Sequence, residues 1–174
     1  QSRSSAASDV YKRQAISGSK ADAWKQAMAE EAEVAALRVE AEGGDAVAMK
    51  NLGSAYRDGS RGLKTNLTQA FTWFKRAADL KDVYGLTECG VAYLNGDGVE
   101  RSNIRGCTMI GIAAGMGSEA ACGLLGLANA EGLWGFDKDP QEATRLYREM
   151  QKCDCRDSNE EYRERAVAWS REHP

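Results

Sequence analysis

The stretch Leu52-Gly53-x-x-Tyr56-x-x-Gly59 returns 37 residues later as Cys89-Gly90-x-x-Tyr93-x-x-Gly96, and a weaker copy follows 36 residues further on at Leu125-Gly126 and Gly132. Self-similarity at this period specifies a stacked helical array, because no single repeat of that size can bury its own apolar face. Glycine supports this. The chain has 18, and all but Gly18 lie between Gly43 and Gly135, in register with alanines and aromatics. A flexible linker would carry Ser and little else, so these glycines mark turns and close helix contacts.

With 174 residues the chain has room for one domain and not for two comfortable ones. The segment Ser4 to Gln14 looks like the translation of a sequencing adapter, so residues 1–14 are set aside as adapter-derived and disordered, and the native N-terminus is expected to be missing. Without Arg3, Asp9, Lys12 and Arg13 the formal net charge moves from −3 to −5. That balance argues against a nucleic-acid partner. Between Arg105 and Glu131 the only charge is Glu119, yet Gly115-Met-Gly117-Ser118 interrupts the run. Two short buried helices are expected there and no membrane span.

Helix signals recur at regular intervals. Residues 15–42 form an N-terminal helix, clearest over Ala21–Glu42, with Trp24, Met28, Val34 and Leu37 on a stripe and Gly43-Gly44 as its end. Asp45, Asn66, Asp82, Ser102 and Ser118 each stand where an N-cap is needed. Gly59, Gly96 and Gly132 open the turns within pairs. Gly53 is expected to contact Ala70, with Tyr56 and Trp73 beside it. Asp139-Pro140-Gln141-Glu142 combines cap, first-turn proline and third-position acid. Ser158-Asn-Glu-Glu161 is a further capping box, opening a polar helix with Tyr162, Ala166 and Trp169 on one side, as a solenoid end requires.

The pattern Ala48, Leu52-Gly53, Tyr56, Gly59, Gly62-Leu63, Ala70, Trp73, Ala77-Ala78 resembles the Sel-one-like repeats (SLR), relatives of the tetratricopeptide repeats. The second copy keeps Gly90, Tyr93, Gly96-Asp-Gly98-Val99 and Ala113-Ala114, and departs at Cys89, Gly106 and Met109. The third keeps Leu125-Gly126, Gly132 and Ala143, with Asn129 in place of Tyr and Met150-Gln151 in place of the Ala pair. The resemblance implies an all-α fold: an α/α solenoid, a right-handed superhelix of antiparallel helix pairs, with about three repeats over 43–153 and a capping helix over 154–174. It also implies that the first helix of each pair lines the concave side. Residues there that the core does not need are Asn51, Ser54 and Asp58, then Glu88, Val91 and Asn95, then Leu124, Leu127 and Glu131, each triplet on one helix face. Leu124 and Leu127 form a contact surface if exposed, and belong to the core if the terminal helix covers them.

Chemistry finds few footholds. The only histidine is His173, which leaves no histidine-based triad or metal cluster. Ser17-Gly-Ser-Lys20 matches S-x-x-K formally but lacks the partner motifs. Cys153-Asp-Cys155 has no second pair at metal spacing, and Asn95-Gly-Asp-Gly98 lacks the remaining oxygen ligands of a calcium loop. No cofactor or metal is expected. A cysteine-rich, secreted branch of the resembled family bridges the two helices of a pair. On that resemblance Cys122 would pair with Cys153, while Cys89 and Cys107 flank their turn symmetrically about Gly98, as bridged antiparallel neighbours would; otherwise the five cysteines are buried small hydrophobes. The leading expectation is a non-catalytic interaction or scaffold module that holds a protein or peptide on its concave face. The alternative implied by the secreted branch is β-lactam binding or hydrolysis. The compartment stays open between cytoplasmic and exported, and a fragment of a longer scaffold is as compatible as a complete chain.

Overall fold

Six short helices in the middle of the chain share one length, 13 residues, and one set of boundary devices. The computed structural model describes the backbone of residues 3–152 and 160–172, with side chains over 20–152 and 162–172. In chain order the helices are α1 (Arg3–Glu42), α2 (Ala46–Asp58), α3 (Leu67–Asp79), α4 (Val83–Asn95), α5 (Asn103–Gly115), α6 (Glu119–Glu131), α7 (Pro140–Lys152) and α8 (Glu160–Glu172). No strand occurs among the described residues. Each helix packs on its sequence neighbours, and α8 packs on both α6 and α7, so the architecture is an all-α solenoid.

The six predicted caps that lie within the described residues form. The side chains of Asp45, Asn66, Asp82, Ser102 and Ser118 accept the N–H three residues on, at Ala48, Gln69, Gly85, Arg105 and Ala121. Asp139 accepts from both Gln141 and Glu142 at 3.0 Å. Glu142 does not complete a capping box, because the Asp139 N–H is already given to the Asn129 carbonyl and the Glu142 carboxylate goes to Arg145. The Asp139 bond recurs in every pair, as Asn66 N–H to Tyr56 and Ser102 N–H to Tyr93. Gly59, Gly96 and Gly132 end the first helices in the left-handed conformation that glycine adopts without a Cβ penalty.

Helix pairs close on a single contact type. A Cβ on Gly53 would stand 2.6 Å from the Phe74 ring, one on Gly90 2.5 Å from Ile110, and one on Gly126 2.7 Å from the Tyr147 ring. Phe74, Ile110 and Tyr147 are the eighth residues of α3, α5 and α7, and all are buried. The expected Gly53 partner, Ala70, lies one helical turn away from this contact. Tyr56 and Trp73 do fill the adjoining space, and Arg38 of α1 donates to the Tyr56 hydroxyl at 2.7 Å. Gly106 is needed for the same reason, with a Cβ position 2.7 Å from Leu94, whereas a Cβ on Gly111 would meet nothing within 4 Å.

The joints between pairs also repeat. The N–H of Asp45, Asp82 and Ser118 reaches back to the carbonyls of Glu40, Ala77 and Ala113, and the preceding residue is left-handed each time: Gly44 at φ 99°, Lys81 at 62°, Gly117 at 89°. Lysine is the unfavourable choice at such a position. Lys81→Gly is expected to stabilise the chain by about 0.5–1 kcal/mol, net of the extra entropy glycine gives the unfolded state. Urea midpoints of the two proteins check it.

Both ends depart from the array. α1 begins at Arg3, earlier than the expected start at residue 15, and takes in most of the segment set aside as adapter-derived. Among its described side chains those of the last turns pack: Val34 is buried and Leu37 half-buried, while Trp24 and Met28 are 66% and 43% exposed. A 13-residue helix is about 20 Å long and cannot cover a helix of 40 residues. At the other end, the predicted face of α8 is seated: Ala166 is fully buried, Tyr162 is half-buried, and the Trp169 indole donates to Thr144 at 2.9 Å. The predicted capping box at Ser158 and the pair Cys153 and Cys155 lie outside the described residues, as does His173.

Candidate partner-binding groove

The first helices of successive pairs present the same face side by side, and i, i+3, i+4, i+7 spacing makes that face continuous. On α4 it consists of Tyr84, Thr87, Glu88 and Val91; α2 adds Lys50 and Arg57, and α6 adds Ala120 and Leu124. Lys81 to Val83 and Met116 to Glu119 form its floor at the helix N-termini, and Tyr162 of α8 closes one end. The enclosed groove has a volume of about 750 Å³. That is room for several side chains of a docked segment.

Its polar groups are arranged in fixed pairs. Arg57 bridges Asp58 at 2.9 Å and Glu88 at 2.6 Å. Burial disfavours its charge, but the hydrogen bond to Asp58 and the attraction of Glu88 outweigh that and raise its pKa. The Tyr84 hydroxyl lies 3.4 Å from that of Ser54, and burial, then Glu88, push its pKa up, so the phenol keeps its proton at neutral pH. Lys50 Nζ stands 5.1 Å from the Tyr84 ring centroid. Thr87 and Ser118 share a buried hydroxyl contact of 3.1 Å that ties α4 to the cap of α6. Glu119, only 3% exposed, receives both arms of Arg163 from α8, at 2.6 and 3.0 Å.

The structure divides the nine predicted contact residues. Glu88, Val91 and Leu124 line the groove. Ser54 supports Tyr84 from behind, and Asn51 is half-buried on the same helix. Asp58 is exposed and paired to Arg57; Glu131 is exposed and paired to Arg165 at 3.5 Å; Asn95 bonds Asp97 across its turn. Leu124 is 5% exposed and belongs to the core, and Leu127 is half-buried, so they do not form an exposed leucine patch. Lys50, Lys81, Tyr84, Met116 and Tyr162 also line the groove and were not among the predicted contacts. On α4 and α6 the groove lies one helical turn nearer the helix N-termini than the predicted triplets, and on α2 its residues Lys50 and Arg57 stand one position before Asn51 and Asp58.

Cys89 and Cys107 are free thiols, so the bridge implied between them is not formed. Their helices meet through the neighbouring residues Gly90 and Gly106, which turns Cys89 towards α3, near Lys75 and Asp79, and Cys107 towards a cleft between α5 and α7. Burial pushes the Cys89 thiol up to about 12. In native protein Cys89 should therefore resist maleimide at mildly alkaline pH, and both thiols should label after denaturation without reductant. Mass spectrometry of the labelled peptides reads this directly. Cys122 is buried in α6; its suggested partner Cys153 lies outside the described residues, as does the Ser17 side chain of the S-x-x-K match. Among the described residues no helix is long and apolar enough to cross a membrane.

A family model for the Sel1 repeat matches residues 46–82, 83–116 and 119–150, which are the three helix pairs with their joints. Among solved structures, the chain is similar to a Sel1 repeat protein from Oxalobacter formigenes, at 28% identity and a TM-score of 0.59, covering 63% of this chain and 44% of that one. It is similar also to a protective antigen present in uropathogenic Escherichia coli strains, displaying an SLR fold. There the identity is 29% and the TM-score 0.62, over 68% of this chain and 25% of that one. The chain thus spans less than half the length of either. No curated protein matches it.

Proposed function

The chain belongs to the Sel1 repeat family, and on that premise we propose that it is a non-catalytic interaction module that holds an extended segment of a partner protein in the groove formed by α2, α4 and α6. Sel1 repeats are generally protein–protein interaction modules, and proteins built from them are generally non-enzymatic scaffolds. The observation that carries the reading is the groove itself: about 750 Å³, lined from three repeats by both polar and apolar groups. The helix pairs α2 to α7 are the working module, and α8 packs against its last pair. The free thiols of Cys89 and Cys107 lend no support to the bridged, β-lactam-directed alternative.

Selection of a displayed library of random peptides on the whole chain tests the proposal. Peptides that bind should lose affinity when Val91, which lines the groove, becomes arginine, and keep it when Thr108, exposed on α5 outside the groove, is changed in the same way. Peptides indifferent to Val91→Arg, or no selected peptide at all, would refute it.

A further inference from the structure

The groove ends on a helix that is held more lightly than the others. α8 packs on α7 and α6 as α4 packs on α3 and α2, so it extends the row of first helices that lines the groove. α4 and α6 each bury eight residues, whereas among the described residues of α8 Ala166 alone is buried. Half-buried Tyr162 and Trp169 add to the seat. The pair of Arg163 with Glu119 contributes little net, because the attraction of two ions mainly offsets the cost of drying them. A helix of 13 residues is marginal in water without a surface to pack on. Docking and helix formation of α8 are therefore one equilibrium, set by few contacts.

Tyr162 joins that equilibrium to the groove. It lines the groove's end together with Ala120 and Leu124 of α6. A Cβ on Gly123 would stand 2.9 Å from the Cβ of Tyr162, so the tyrosine sits where it does because α6 has glycine there. Glu119 lines the groove as well and takes its guanidinium from α8. One end of the site thus exists only while α8 is docked. Resting on the peptide-binding reading above, we propose that partner binding and α8 docking are linked: the segment held in the groove rests on Tyr162 and so seats α8, and a chain with α8 undocked binds it weakly. Such linkage is reciprocal, since the factor by which docking strengthens binding is the factor by which binding favours docking. For a partner that needs the docked state, the apparent Kd rises as the inverse of the docked fraction. Contacts of α8 away from the groove, such as that of Trp169 with Thr144, thereby set the affinity of a site they do not touch.

The probe is the tightest Val91-dependent peptide from the display selection, titrated into the whole chain. At saturation it should raise the hydrogen-exchange protection of amides 162–172. Arg163→Ala and Ala166→Asp unseat α8 through two different contacts, one by removing the partner of Glu119 and one by placing a charge in a fully closed seat, and neither residue lines the groove. Each should weaken the peptide about fivefold or more, in step with the protection lost from 162–172, while amides of α2 to α5 stay protected. Tyr162→Ala, which removes the contact itself, should weaken it too. Affinity that holds although exchange shows α8 undocked, or a peptide that leaves the protection of 162–172 unmoved, would overturn the linkage while leaving the groove as a peptide site. Tighter binding with α8 undocked would overturn it as well, by making α8 a plug that the partner must displace. Absence of any Val91-dependent peptide would overturn both the linkage and the reading beneath it.

Discussion

Alanine at Gly53 is expected to destabilise the protein by about 1–3 kcal/mol, the usual cost of forcing a methyl group into a filled core. In an unconstrained helix the same change would stabilise by about 1 kcal/mol, so the sign itself is diagnostic. The reason is the 2.6 Å separation between a Cβ at this site and the Phe74 ring, which is 2% exposed and cannot move aside into solvent. Phe74→Ala should cost about 3–5 kcal/mol by leaving a cavity at the centre of the first pair. The double variant decides the account: with the ring gone, the Gly53 methyl enters vacated space, so its cost should vanish or turn into a gain. A coupling of about 2 kcal/mol or more between the two sites is expected from denaturant titrations. Additive costs would show that the contact does not close the pair. Gly90 with Ile110 and Gly126 with Tyr147 should behave alike, since each glycine faces the eighth residue of the following helix.

Removal of Arg163 has the second large effect. Its guanidinium is half-exposed, but Glu119 beneath it is 3% exposed, and α8 brings the compensating charge. Breaking a pair of this kind from one side leaves an uncompensated buried carboxylate, which costs about 3–5 kcal/mol when the structure cannot relax. Here it can relax, because among the described residues α8 packs on α6 and α7 alone and its undocking exposes Glu119 to water. Arg163→Ala should therefore unseat α8 before the array melts: amides of 162–172 should lose hydrogen-exchange protection while those of α2 to α5 keep theirs. Glu119→Gln added to Arg163→Ala should restore much of the protection, since no charge is then left stranded. Unchanged protection in the single variant would mean that Tyr162, Ala166 and Trp169 hold the helix unaided.

Caps and turns were legible in the sequence because they are local. Asp45, Asn66, Asp82, Ser102, Ser118 and Asp139 act within three residues of themselves, and Gly59, Gly96 and Gly132 answer a backbone requirement that few other residues meet. Contacts between helices were less legible. Gly53 announces that something comes close, but whether Ala70 or Phe74 does so depends on the rotation of α3, which no local signal fixes. The same rotation decided the thiols: Cys89 and Cys107 stand symmetrically about Gly98 in sequence, yet Gly90 and Gly106 take the interface and turn them apart. Trp24 and Met28 continue the apolar stripe of α1 past the point where α2 and α3 end.

The groove was half legible for a related reason. Helical spacing identifies a face, and Glu88, Val91 and Leu124 were placed on it. Where along that face the groove lies, so that Tyr84 belongs to it and Asn95 does not, depends on the joints between pairs, which periodicity does not register. Lys81 was invisible to periodicity because it lies between helices. Its left-handed backbone is known only from the fold, and it makes Lys81→Gly a variant expected to gain stability.

The most direct test of the claim that α2, α4 and α6 present the partner surface is amide chemical-shift mapping of isotope-labelled chain, titrated with the tightest of the selected peptides. The largest shifts should fall on Lys50, Arg57, Lys81, Tyr84, Glu88 and Val91, with α3, α5 and α7 little changed on their outer faces. Shifts confined to the outer faces of α3, α5 and α7, with these six amides unmoved, would contradict it.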